Sequence, residues 1–382
     1  MYRPARSVDL RPKRVSVVST YPPTRCGIGR FTHSLLRAWT GCAPATELSV
    51  ARILDPTIPT GGDGREVDLL FDPASAVARR AAAQHLSHLD AVIVQHEFGI
   101  FGPDDGIGVV DLVTRIKAPV MTAVHTVRSE PSERQRAIIE ELSRLGSLIV
   151  LSDVAREQLL HVHNVDPSNV FVIPHGSAWL PRPAQLPLQR RRLITWGLLG
   201  PGKGIERALR AVAELDLDPA VTYDIVGQTH PNVLARHGQS YRRSLESLAD
   251  ALGIADRVNF IDRYVSDDEL EQMVGDADLV VVPYDNDEQV CSGVLTDAIA
   301  AGKPVVATAF PHARDLARYG CVITAPHDPR AIADAVDRLL GDDDAYDLAR
   351  QSAVRLAETL RWTEVAGAYQ DLVHARAQAV VA

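Results

Sequence analysis

Two stretches of the chain carry residues whose types and spacing suit the handling of a charged ligand. The first is TWGLLGPGKGIE at 195–206, where an apolar strand gives way to a glycine-rich turn, a lone lysine and a helix start. Glycines such as Gly197 and Gly202 let backbone N–H groups approach an anion closely, and a helix start presents about half a positive charge. Lys203 adds a full one. The G-x-x-x-x-G-K-[ST] spacing of a Walker A loop is absent. Taken alone, the run also fits an ordinary strand-to-helix turn with a surface lysine.

The second stretch is PYDNDEQVCSGVLTDAIAAGKPVVAT at 283–308. A polar loop leads into a helix expected to start near Ser292 and Gly293, so that the N–H groups of Ser292, Gly293 and Val294 would face a phosphate. Asp297 follows about one turn later, within reach of ribose hydroxyls. Read blandly it is a solvated helix carboxylate, but its neighbours are apolar.

Elements able to position these groups recur along the whole chain. Strands are expected at 14–20, 47–54, 91–95, 119–124, 148–151 and 170–173, with helices at 28–39, 74–89, 132–145 and 152–161 between most of them. Continuous apolar runs such as AVIVQ and LIVL suit a parallel sheet covered on both faces. A run with three prolines, 180–192, has no usable period and reads as a linker. The alternation then restarts, with strands at 193–196, 221–226, 258–260, 279–282, 304–308 and 322–324 and helices at 204–215, 241–252, 267–274, 293–301 and 329–340. The expected fold is α/β: two doubly wound domains at 1–180 and 193–360, joined by a linker at 181–192 and followed by a last helix at 361–382. Open sheets of this kind bind ligands beyond the carboxyl ends of their strands, so a shared cleft is the expected site.

In this order the motifs resemble a retaining glycosyltransferase of the GT-B fold, from the large family 4 of nucleotide-sugar enzymes. The run 197–204 answers to that family's G-R-L-x-x-x-K-G turn. Gln289 and Asp297 stand where it has two acidic residues with seven between them, ahead of AIAAGKPVV at 298–306. IPHG at 173–176, TAVH at 122–125, PTRCGIG at 23–29 and RWT at 361–363 extend the likeness to nearly the whole chain. Two departures stand out: Leu198 replaces the diphosphate arginine, and Gln289 replaces the first acid. These, with PY at 283–284, SG at 292–293, QTHP at 228–231 and QHEFG at 95–99, resemble a bacterial subgroup of the family.

The resemblance implies transfer of a hexose from a nucleoside diphosphate to an acceptor hydroxyl, with retention at the anomeric carbon. It assigns catalytic roles to His125, Lys203 and Gln289, and donor binding to Gly27, Gly29, Gly197, Gly202, Ser292, Gly293, Val294 and Asp297. Arg263, after the strand at 258–260, would replace the charge missing at Leu198. Arg25, His96, Glu97 and His175 are weaker candidates that would face the sugar or the acceptor. Each has a bland alternative as helix capping or sheet-edge scaffold.

With Lys203 and a helix start supplying positive charge, and no D-x-D run in the first domain, neither a metal nor a resident cofactor is expected. The nucleotide sugar is a co-substrate, with GDP-mannose favoured slightly over UDP-glucose. The acceptor would be a carbohydrate or small hydroxyl-bearing molecule. A phosphorylase, a nucleotide-sugar epimerase and a non-catalytic nucleotide-sugar binder are the competing readings.

Composition limits the remaining classes. The 382 residues are 46% hydrophobic and 23% charged, as in ordinary globular domains. Forty basic against 49 acidic residues leave a net charge of −9, which disfavours non-specific nucleic-acid binding. Cys26, Cys42, Cys291 and Cys321 are scattered, without disulfide or zinc spacing. The charged N-terminus lacks a signal peptide's apolar core, and no apolar run reaches the ~20 residues of a membrane span. A cytoplasmic protein with at most peripheral membrane contact is expected.

Overall fold

A computed structural model describes residues 12–24, 26–54, 64–181, 191–217, 220–263 and 265–381. The chain divides into two units, one made of Met1–Gly176 with Trp362–Ala382 and the other of Ser177–Arg361.

Among the described residues, the first unit holds seven parallel strands: β1 (Arg14–Ser19), β2 (Glu47–Ile53), β3 (Val67–Phe71), β4 (Ala91–His96), β5 (Val120–Val124), β6 (Ser147–Val150) and β7 (Val170–Val172). Their order across the sheet is β3-β2-β1-β4-β5-β6-β7. Every residue of β4 and β5 is buried, which is why these strands read as unbroken apolar runs. β3 is absent from the expected strands because it lies at the sheet edge, where exposed and half-buried residues break the apolar pattern.

The second unit holds β8 (Arg192–Trp196), β9 (Thr222–Val226), β10 (Val258–Ile261), β11 (Leu279–Val282), β12 (Val305–Thr308) and β13 (Val322–Ala325), again all parallel among the described residues. The order β10-β9-β8-β11-β12-β13 repeats the winding of the first sheet. Winding therefore reverses between β1 and β4 in one unit and between β8 and β11 in the other. At such a reversal the connections on either side leave toward opposite faces and open a crevice at the strands' carboxyl ends.

Helix starts follow the local chemistry. Ser132 and Gln135 form a reciprocal capping box on the helix Glu133–Leu145, and Ser152 accepts the Ala155 N–H at the head of Asp153–Val162. Helices at Pro311–Ala317 and Asp343–Ala357 complete the second unit where none was expected.

The units change over at Gly176/Ser177, a few residues before the expected boundary at 180. The reason is local: the Ser177 N–H donates to Leu360 O at 2.7 Å, and Ser177 bridges to Arg361. Residues 182–190 of the expected linker lie outside the described residues. The last helix, Trp362–Val381, packs on the helix Gly27–Cys42 of the first unit.

The loops after β8 and β11 are fastened to each other. The Asp285 N–H donates to Gly202 O at 3.0 Å, and the Arg207 guanidinium meets Pro283 O at 3.3 Å and the Asp285 carboxylate. Gly204 sits at φ +64°, where a β-carbon would fall 1.7 Å from Pro283 O. Gly202 also has positive φ, +89°, but a β-carbon there would meet nothing within 4 Å. Gly202→Ala should therefore cost only backbone strain, about 1–2 kcal/mol. Gly204→Ala must in addition push the two loops apart and should cost well over that, as measured by urea unfolding of the two variants side by side.

Candidate active site

In the second unit the site is built at the β8/β11 reversal. Lys203 is partly buried, with its ammonium 4.1 Å from the centroid of the Tyr284 ring, the first aromatic side chain beyond β11. Burial pulls its pKa below the usual lysine value. Among the described residues no carboxylate lies within ion-pair distance of it. An aromatic face compensates an ammonium by about 0.5–2 kcal/mol, less than a buried carboxylate contact would. The geometry leaves a positive charge held rigidly and available to an anion.

Tyr284 is itself fixed from below. Its ring stacks on Phe310 at 5.4 Å, and its carbonyl accepts the Thr308 hydroxyl at 2.6 Å. The loop then ends in the helix Gly293–Ala300, whose N-cap Ser292 accepts the Leu295 N–H at 3.3 Å. Helix geometry leaves the N–H groups of Gly293 and Val294 without an intrahelical acceptor. Helix ends of this kind present free N–H groups to anions.

The other expected donor residues are disposed differently. Asp297 accepts the Ser177 hydroxyl at 2.7 Å. Gln289 is folded back on its own loop: its amide donates to Cys291 O and accepts from Asn286 at 3.3 Å. Gly197 adopts φ +124°, a conformation that favours glycine at the end of β8. Leu198 is 47% exposed beside it, an apolar side chain in the place of a charge. Arg263, expected to supply that charge, instead forms a two-pronged pair with Glu269 on the surface. Its charge is matched there.

In the first unit His125 stands at the end of β5. Its Nε2 lies 2.7 Å from Gln95 Oε1, so Nε2 carries the proton and donates to the amide oxygen. His175 donates from Nδ1 to Gly176 O at 2.7 Å. Phe31 sets its ring edge-to-face against His125, His175 and Trp362, with centroids 5.0, 5.1 and 4.9 Å away. The two imidazoles thus gather round one phenyl ring, each with its other nitrogen unprotonated. Burial pushes their pKa values down to about 3 for His125 and about 4 for His175.

His96 is wholly buried against Phe98 and Phe101, and among the described residues neither ring nitrogen has a hydrogen-bond partner. Glu97 accepts the Thr126 hydroxyl at 2.5 Å and its neighbour's Phe98 N–H at 3.0 Å, tying the β4 and β5 loops together. Gly29 lets the helix Gly27–Cys42 start close under the β1 loop, where a β-carbon would touch Tyr21 and Thr20 at 3.4–3.5 Å. Gly27 is under no such constraint. Arg25 lies outside the described residues.

Sequence reasoning overlooked Tyr284 as the lysine's platform, Gln95 as the partner of His125, and His312 beneath Ser292. All three sit at or just beyond strand ends, a positional signal that the expected strands already marked.

No group of three or more metal-ligating side chains and no helix long and apolar enough to cross a membrane occurs among the described residues.

Comparison with known proteins agrees with this picture. Residues 180–355 match the family model described as "Glycosyl transferases group 1". A D-inositol 3-phosphate glycosyltransferase of Nocardioides sp. (strain ATCC BAA-499 / JS614) is 29% identical over 81% of this chain and 72% of its own length. A protein of the same name from Thermomonospora curvata is 30% identical over 69% of this chain and 67% of its own. Among solved structures, Anabaena HepE in complex with UDP and glucose superposes with a TM-score of 0.71 at 16% identity, over 94% of this chain and 99% of that one. The fold is GT-B, with two Rossmann-like units. The chain belongs to the group 1 glycosyltransferases, enzymes that transfer sugars.

The buried histidines set an acid limit on stability. Unfolded, each takes up a proton near pH 6.5; folded, His96 resists until about pH 4. Its contribution is therefore complete above pH 6.5 and lost as pH falls from there toward 4. Each such histidine should cost about 1.4 kcal/mol per pH unit in that window. Urea denaturation across pH 4–8 should show this slope, and His96→Leu should make it shallower by roughly one proton's worth.

Proposed function

We propose that this enzyme is a retaining hexosyltransferase that takes its sugar from a nucleoside diphosphate and needs no divalent metal. The observation that carries the reading is Lys203, a partly buried ammonium fixed on the Tyr284 ring without a carboxylate partner, beside the helix start at Ser292. The hard part of the transfer is departure of a diphosphate as its charge grows. A preorganised ammonium and two helix-end N–H groups stabilise that charge without rearranging during the reaction.

His125 of the first unit, unprotonated at Nδ1, is proposed to accept a hydroxyl of the sugar substrate. With no carboxylate pair of the glycosidase kind in the proposed roles, the departing phosphate oxygen would take the acceptor's proton as the new glycosidic bond forms on the same face. Asp297, placed on the helix Gly293–Ala300, would hold the ribose. HepE is solved with UDP and glucose, which supports a nucleoside diphosphate hexose as donor; GDP-mannose is the competing donor for this chain. The relatives named for D-inositol 3-phosphate support a small polyhydroxylated acceptor, and a cytoplasmic location suits such a donor.

A thermal-shift and calorimetric panel of UDP, GDP and ADP, each with and without magnesium, tests the donor site directly. One nucleotide should bind equally well without the metal. Lys203→Ala should weaken that binding and lower turnover of the matching sugar nucleotide about a hundredfold or more. Normal turnover in the variant would remove Lys203 from the diphosphate.

A further inference from the structure

His312 lies beneath the loop that carries the helix start, on the short helix Pro311–Ala317, and is 4% exposed. Its backbone N–H donates to Gln289 O at 3.1 Å. Its ring Nδ1 accepts the Ser292 N–H at 3.0 Å. The donor in the second bond is a backbone amide, so Nδ1 has to be unprotonated and the neutral ring carries its proton on Nε2. One residue thus grips both ends of the turn 289–292, and the second grip is on the N-cap of the helix Gly293–Ala300.

This turn determines where the Gly293 and Val294 N–H groups point. Cys291 and Ser292 link the Gln289 bend to the helix, and the Ser292 side chain is already committed to Leu295. The Ser292 backbone amide would otherwise be a buried donor without an acceptor, worth about 1–3 kcal/mol of penalty. Turning it outward would rotate the helix's first turn. The neighbouring residues act in the same direction: Thr308 at the end of β12 and Phe310 just beyond it hold Tyr284 in place. The segment 308–312 is a foundation for the loop 284–292.

We infer that His312 is a positioning residue for the donor diphosphate: through Nδ1 it fixes the Ser292 amide and so aims the helix-end N–H groups at the phosphates. The inference rests on the nucleoside diphosphate reading above. A purely structural histidine would affect folding and every ligand alike, whereas a residue that aims phosphate-binding amides acts on the diphosphate portion alone.

Calorimetry of the full-length enzyme separates the two. The probes are UDP against uridine and GDP against guanosine, using whichever base the wild type binds. His312→Leu should weaken the diphosphate about tenfold or more while leaving the nucleoside within about threefold. His312→Asn, whose Oδ1 takes the place of Nδ1 as acceptor, should restore the diphosphate to within about threefold of wild type. His312→Gln, with its oxygen one carbon further out, should resemble the leucine variant, and it carries the comparison with asparagine if His312→Leu does not fold.

Equal losses for diphosphate and nucleoside, unchanged diphosphate affinity in the leucine and glutamine variants, or an asparagine variant as weak as these would each overturn the assignment. A wild type that binds none of the nucleotides would overturn the donor reading and this inference together. Binding that is indifferent to His312 would overturn this inference alone.

Discussion

The second unit depends on the close approach of two loops. Gly204 lies against the Pro283 carbonyl so tightly that no side chain fits, and the Asp285 amide closes the same seam from the other side. The approach exists because the sheet winds outward in both directions from β8 and β11, which brings the two loops to the same edge. With the seam closed, Lys203 lands on Tyr284. Without it, the ammonium has neither a platform nor a reason to leave water. An unpaired cation in a half-buried place is a cost the fold bears, and at enzyme sites such costs commonly mark where a ligand's charge belongs.

The first unit solves a different problem. Its interior end accommodates three histidines, and burial keeps them neutral. Gln95 Oε1 and the Gly176 carbonyl each accept one imidazole N–H, which leaves lone pairs on the opposite nitrogens. Two neutral acceptors beside a phenyl ring suit hydroxyl-rich, uncharged matter. The cationic second-unit site suits an anion.

Much of this was legible in the sequence because it rests on backbone. Parallel strands buried on both faces must be apolar runs, and turns with positive φ favour glycine, so β8, β11 and the turn at 197–204 announce themselves. The helix start at Ser292 is equally plain, since few residues cap as serine does. Less legible was what depends on side chains meeting across sequence distance. Arg263 has the right charge to replace Leu198's missing one, but Glu269, six residues later, claims it. Gln289 has the right polarity for a sugar hydroxyl, yet its amide closes its own loop. The edge strand β3 and the support from Thr308, Phe310 and His312 carry no pattern of their own; their role follows only from what lies above them.

The path of the chain has a further consequence. It leaves the first unit at Gly176 and returns at Trp362, and these crossings are paired side by side through Ser177 with Leu360 and Arg361. In topological terms the second unit is an insert whose two ends meet. It can be excised as one continuous segment with its termini already adjacent, the arrangement most tolerant of transplantation or circular permutation. The first unit is not separable in this way. Truncation at residue 361 removes Trp362, whose indole lies over Gly176 where a β-carbon would sit only 2.4 Å away, and strips a helix from its surface. The first unit is complete only after the whole of the second has been made.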